Sequence, residues 1–171
     1  MTEYTSDVSR QERPDLATTI DALKGVTEDS LSATMFYGLS GRTQTEFEQL
    51  RPHWEKLSSI IRQRLLRRMV EVSEMDFEMD YGAVGFYSLD DPDPSIREIA
   101  IELLWEDESS RLQSRLESLA VNDPDDRVRA KALIHLGRFI LLGELGNIQE
   151  NAMRRAQAVA IAALQDTKQP V

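Results

Sequence analysis

The sequence predicts an all-α chain folded as an α-α superhelix of about four helical hairpins. Three observations predict it. Apolar residues recur at three- and four-residue spacing along nearly the whole chain, alternating strand patterns are almost absent, and one helical unit returns at a fixed offset. At 171 residues, 41% hydrophobic and 29% charged, the chain is long enough for one buried core. It carries neither the composition of a disordered segment nor that of a membrane protein.

The elements follow in order. Residues 1–14 are polar, with Glu3, Asp7, Arg10, Glu12 and Arg13 and no apolar run, which excludes a secretory leader and predicts a flexible tail. Leu16, Ile20 and Leu23 define a first short helix, and Gly25 is its expected stop because glycine tolerates a left-handed backbone. Leu31, Met35, Phe36 and Leu39 define a second, closed by Gly41. Thr43 and Glu46 have capping-box spacing ahead of Phe47, Leu50 and Trp54, and Pro52 is expected to kink or divide that helix.

Ser58 or Ser59 caps the next helix, whose stripe of Ile61, Leu65, Leu66, Met69 and Val72 is surrounded by Arg62, Arg64, Arg67 and Arg68. Met75, Phe77, Met79 and Tyr81 alternate over too few residues to make a sheet. A short helix is expected over 81–89. Asp93 and Pro94 then restart the chain as N-cap and first helical residue, and two helices follow at about 110–120 and 126–142. A glycine-containing connection leads to a last helix over about 149–165. Its Ala158 to Leu164 run is apolar all round, a pattern that predicts burial on more than one side.

The repeated unit is Asp91-Pro92-Asp93-Pro94-Ser95-Ile96-Arg97 with Ala100, Ile101 and Leu104. It recurs 32 residues later as Asp123-Pro124-Asp125-Asp126-Arg127-Val128-Arg129 with Ala132, Leu133 and Leu136. A weaker copy lies 35 residues upstream of the first, at Ile61-Arg62, Leu65-Leu66 and Met69. Each copy opens the second helix of a hairpin, and such hairpins bury their apolar faces only by stacking on one another. Asp93 and Asp125 stand where a side chain accepts from first-turn N–H groups.

These residues resemble the HEAT-repeat family over about 44–171, and within it an uncharacterised bacterial group sharing Leu104-Trp105-Glu106 and the run Gly137 to Gly146. The resemblance implies 15–42 as an N-terminal capping hairpin and 43–171 as HEAT-like repeats, the last one incomplete. The register then asks for a further second helix after Gln165, so the chain is expected either to front a longer solenoid or to associate with another copy through its C-terminal helix. The resemblance also implies that each repeated Arg pairs with a turn Asp of the neighbouring repeat.

Chemistry-bearing motifs are few. With no Cys, disulfides, thiolate metal sites and thiol catalysis are excluded, and a reducing cytoplasm is the expected location. Asp76, Glu78 and Asp80 occupy positions 1, 3 and 5 of a calcium loop, but Tyr81 stands where the loop needs Gly and Tyr87 where it needs Glu. His53 and His135 lack a ligand partner at helical spacing, and neither a nucleophile elbow nor a phosphate-cradling loop is present. No metal, cofactor or catalytic residue is therefore expected. Trp105 and Phe139 read as packing residues first and interface anchors second.

The formal charge of −10 disfavours a nucleic-acid partner. It is unevenly spread: residues 1–50 carry −5, 51–70 carry +5, 71–110 carry −12 and 111–171 carry +2. In HEAT-like solenoids second helices line the concave side, which implies a common groove for Arg64, Arg67, Arg68, Lys131, His135 and Arg138, interrupted by Glu98 and Glu102. The resulting expectation is a non-enzymatic interaction module or assembly scaffold for an acidic protein partner. Two other branches of the resemblance are bilin lyases that handle open-chain tetrapyrroles and HEAT-based DNA glycosylases. The first finds no supporting nucleophile or cofactor motif here, and the second requires a strongly basic groove.

Overall fold

The computed structural model of the chain describes residues 13–27 and 30–165. The expected N-terminal tail through residue 12 and the expected turn after Gln165 lie outside the described residues. Among those described, the order is α1 (Leu16–Lys24), α2 (Ala33–Leu39), α3 (Gln44–Trp54), α4 (Ser59–Met75), α5 (Gly82–Ser88), α6 (Pro94–Leu103), α7 (Ser110–Asn122), α8 (Asp126–Glu144) and α9 (Glu150–Gln165). The only extended pairing among them is an isolated bridge between Thr27 and Ser30. None of these helices is long and apolar enough to cross a membrane.

Side-chain caps start six of the described helices. Asp15, Thr43, Ser58, Asp93, Ser109 and Asp125 each accept a backbone N–H of the first turn through their side chains, satisfying donors the helix itself leaves free. Thr43 and Glu46 complete both halves of the capping box, and the Thr43 backbone bond holds the Glu46 carboxyl below its usual range. Two expectations change. Gly25 ends α1 with an ordinary right-handed backbone, whereas Gly41 after α2 is the left-handed one at φ 60°. Pro52 does not divide α3, which runs on to Trp54; so close to the C-terminal end, its missing N–H removes one of the last bonds only.

The helices stack in two rows. Second helices α4, α6 and α8 pack successively on one another, while α1 lies on α3, α3 on α5 and α7 on α9. Their apolar faces form two cores that meet on α6. Ile96 and Ile99 belong to the core built by α1 to α5, and Ala100, Ile101 and Leu104 to the core completed by α7, α8 and α9. Gly85 allows α5 to close on the end of α6, since a Cβ there would lie 2.8 Å from the Leu104 side chain. At the far end α9 buries Ala156 fully but leaves Ile161 56% and Leu164 88% exposed. Its all-round apolar pattern is thus covered on one side only.

Successive hairpins are pinned by arginines at one register position. Arg97 donates from Nε and Nη2 to the two carboxylate oxygens of Asp123 at 2.8 and 2.6 Å, and from Nη1 to the Asp91 and Pro92 carbonyls. Arg97 and Asp123 are 8% and 7% exposed, and the paired carboxylate raises the Arg97 pKa. One repeat earlier Arg62 holds Asp91, with Nε 3.0 Å from one oxygen and Nη2 3.3 Å from the other. Asp91 and Asp123 in turn accept from the backbone N–H of Asp93 and Asp125. Each turn is thereby joined to the helix of the preceding hairpin. Arg129, the third member, donates to the Asp123 carbonyl and pairs with Asp126 of its own helix.

Breaking this ladder at its most buried rung leaves an uncompensated carboxylate. Arg97→Ala is expected to lower unfolding free energy by about 3–5 kcal/mol. Removing the exposed Arg154, paired with Glu150 of its own helix, leaves the denaturation midpoint essentially unchanged. Urea denaturation followed by circular dichroism measures both; equal losses in the two variants would show that the ladder does not carry the stacking.

Candidate functional site

The six residues expected to share a groove divide into two groups. Arg64, Arg67 and Arg68 are exposed on α4, where Arg68 pairs with Glu71 at 2.7 Å. On α8, Lys131 is bound to Glu102 of α6 at 2.9 Å. Arg138 lies 2.8 Å from Glu108 and 3.5 Å from Glu106, in the connection after α6. The basic residues of α8 therefore serve as ties across to the α6 side of the row. Their charge is opposed within the fold.

His135 departs furthest from its expected place. It is fully buried, not on a solvent-facing groove wall. Its ring packs, tilted, against Trp105, with centroids 4.8 Å apart and planes at 34°, and against Phe139 at 6.0 Å. Arg68, the equivalent position on α4, stays exposed. α8 has α6 and the following Trp105 packed alongside it, whereas the corresponding helix of the first hairpin, α2, is only seven residues long. Phe139 is buried as expected, and Trp105 is 41% exposed, one face on His135 and its ring 5.9 Å from the Arg138 guanidinium.

Burial, reinforced by the nearby Arg138 charge, lowers the His135 pKa to about 4. The Ile101 and Trp105 carbonyls act in the opposite direction, yet neither ring nitrogen makes a hydrogen bond of proper geometry. At neutral pH the ring is uncharged. It is a packing element of the buried core.

A concavity lies elsewhere, at the C-terminal ends of α4 and α6. A groove of about 890 Å³ runs between Val70, Ser73 and Glu74 of α4, the connection from Phe77 to Tyr81, and Leu103 to Asp107, with Lys131 of α8 at its edge. Its volume is that of an ordinary binding cleft. Glu74, Asp80, Glu102, Glu106 and Asp107 contribute five carboxylates to the lining against the single ammonium of Lys131. Phe77 on the lip is 92% exposed, while Tyr81 is buried with a hydroxyl that has no hydrogen-bond partner.

In the sequence the acidic connection reads as an incomplete calcium loop and Trp105 as a packing residue. The sequence does not bring them together, because their proximity depends on how α4 and α6 cross. The available signal was Phe77, an aromatic between Asp76 and Glu78 with no helical stripe to join. Comparison with known proteins finds no matching family model, no similar curated protein and no similar solved structure.

The buried histidine makes a pH prediction. In the unfolded chain the ring titrates near 6.5 and in the folded chain near 4, so between these values the unfolded chain takes up a proton that the folded chain refuses. Stability from this group is intact above pH 6.5 and is lost as pH falls to 4, by roughly 3 kcal/mol in all. His135→Leu fills the same apolar slot and is expected to flatten this part of the curve. Denaturation midpoints of both proteins at pH 7, 6, 5 and 4 check it; parallel curves would show that the loss belongs to other groups.

Proposed function

We propose that the chain is a non-catalytic protein-interaction module of the HEAT-like kind, working in the cytoplasm and binding a partner across the exposed face of its second-helix row. The observation that supports this reading is the row itself. α4, α6 and α8 pack side by side, and an open groove is cut into the same row. Stacked hairpins present extended surfaces of this kind, and partner binding is what such surfaces supply.

Two side chains with shifted pKa values fit a structural role better than a chemical one. Arg97 is engaged with Asp123, and His135 is sealed beneath Trp105. The cysteine-free composition is the support for a cytoplasmic setting. The resemblance in the two Asp-Pro repeats, together with the Arg62–Asp91 and Arg97–Asp123 pairs, supports the HEAT-like assignment. An acidic partner would meet Arg64, Arg67 and Arg68, which are exposed on α4, with Arg68 already facing Glu71 as Lys131 and Arg138 face carboxylates of the α6 side.

The test uses the purified chain as bait with two surface variants. Arg67→Glu/Arg68→Glu alters the second-helix face, and Ser114→Arg/Ser118→Arg alters exposed positions of α7 in the other row. A protein retained by wild type and by the α7 variant, and lost with the α4 variant, is the expected result. Retention that is indifferent to α4 and abolished through α7 would overturn the assignment of the binding face.

A further inference from the structure

The groove between the ends of α4 and α6 combines two features that folding alone does not require. Its walls are apolar and aromatic, with Val70, Phe77, Met79, Leu103 and Trp105, and Phe77 and Trp105 remain 92% and 41% exposed. Its rim is acidic, with five carboxylates to one ammonium. All of its lining but Val70 and Lys131 falls within residues 71–110, which carry 13 acidic groups and one basic group. Carboxylates gathered at this density repel one another, and nothing in the groove's own lining but Lys131 offsets them.

Some of these carboxylates have internal partners. Glu102 is tied to Lys131, Asp107 accepts the Ser109 N–H, and Asp80 accepts the Gly82 N–H. Glu106 lies 3.5 Å from Arg138 with its side chain 83% exposed. The acid and the apolar surface are therefore presented side by side to solvent.

We propose that this groove is the docking site for a basic amphipathic segment of a partner protein, with aliphatic side chains against Phe77 and Trp105 and Lys or Arg side chains reaching Glu74, Asp80 and Glu106. The inference rests on the interaction-module reading and adds the charge and character of the partner. Charge complementarity selects a cationic occupant. The exposed aromatic walls select one that also carries apolar side chains, because aromatic residues supply much of the binding energy at such sites. A phosphate-bearing ligand is repelled by the same rim.

Trp105 makes the groove directly observable, since the chain has two tryptophans and the other, Trp54, is fully buried. Three synthetic peptides of equal length are titrated against the full chain: an amphipathic Leu/Lys peptide, its Leu/Glu counterpart, and a Ser/Lys peptide of the same charge as the first. The Leu/Lys peptide is expected to shift Trp105 emission and to bind at least about tenfold more tightly than the Ser/Lys peptide. That preference should be lost in Phe77→Ser. Affinity should fall about tenfold in Glu74→Gln/Glu106→Gln, and remain unchanged in Glu144→Gln/Glu150→Gln, which removes two exposed carboxylates away from the groove.

Equal binding of the two basic peptides, or an equal response to both carboxylate pairs, would reduce the effect to general attraction and overturn the proposal. Selective binding of the Leu/Glu peptide, abolished by Arg67→Glu/Arg68→Glu, would overturn the groove while leaving the interaction-module reading intact. Circular dichroism of each variant separates loss of binding from loss of fold.

Discussion

A guanidinium held between two turns organises the stacking of this molecule. Arg97 reaches from the start of α6 to the carboxylate that opens the next intra-hairpin turn, and on the same side it holds the carbonyls of its own turn. Both charges are almost fully removed from water, so the pair is tolerable only because nearly every donor and lone pair is used. Geometry follows from that requirement. A rotation of α7 and α8 relative to α6 would unpair two buried charges at once, whereas apolar contacts between the same helices would slide at little cost. The Asp123 carboxylate also accepts the Asp125 N–H, and Asp125 caps α8. Helix start, turn and inter-repeat contact are one connected network.

The second-helix face inherits its electrostatics from the same stacking. Setting α8 against α6 brings Lys131 to Glu102 and Arg138 to the carboxylates after α6, so basic residues that look free along α8 are consumed as inter-helix ties. On α4, Arg62 is drawn in to Asp91, whereas Arg64, Arg67 and Arg68 stay at the surface. The acidic connection between α4 and α5 then meets the end of α6, and the excess of carboxylates gathers around the groove. One row of helices thus displays a basic patch at its start and an acidic, aromatic-lined cleft at the ends of its helices. The sign of a partner's charge is decided by which of these it meets.

Much of the architecture was legible in the sequence. The capping residues Thr43, Ser58, Asp93 and Asp125 act where they were placed, and Arg62, Arg97 and Arg129 occupy one register in three second helices. The candidate site was much less legible. His135 aligned with exposed Arg68 by repeat register, yet Trp105 covers it, and Trp105 is 30 residues away in sequence. Phe77 and Trp105 gave no joint signal because they lie in different connections, α4 to α5 and α6 to α7, 28 residues apart.

The sequence by itself determined the helical class, the starts and stops of most helices and the repeat register, because caps, glycines, prolines and a 3.6-residue apolar period act through neighbours a few residues away. Tertiary structure alone decided which charges remain free, which face of α9 is left uncovered, and that a groove forms at the ends of α4 and α6. Those properties depend on how helices from different hairpins cross. A side chain's exposure and its ion-pair partner are set by atoms tens of residues distant, and no local pattern encodes that distance.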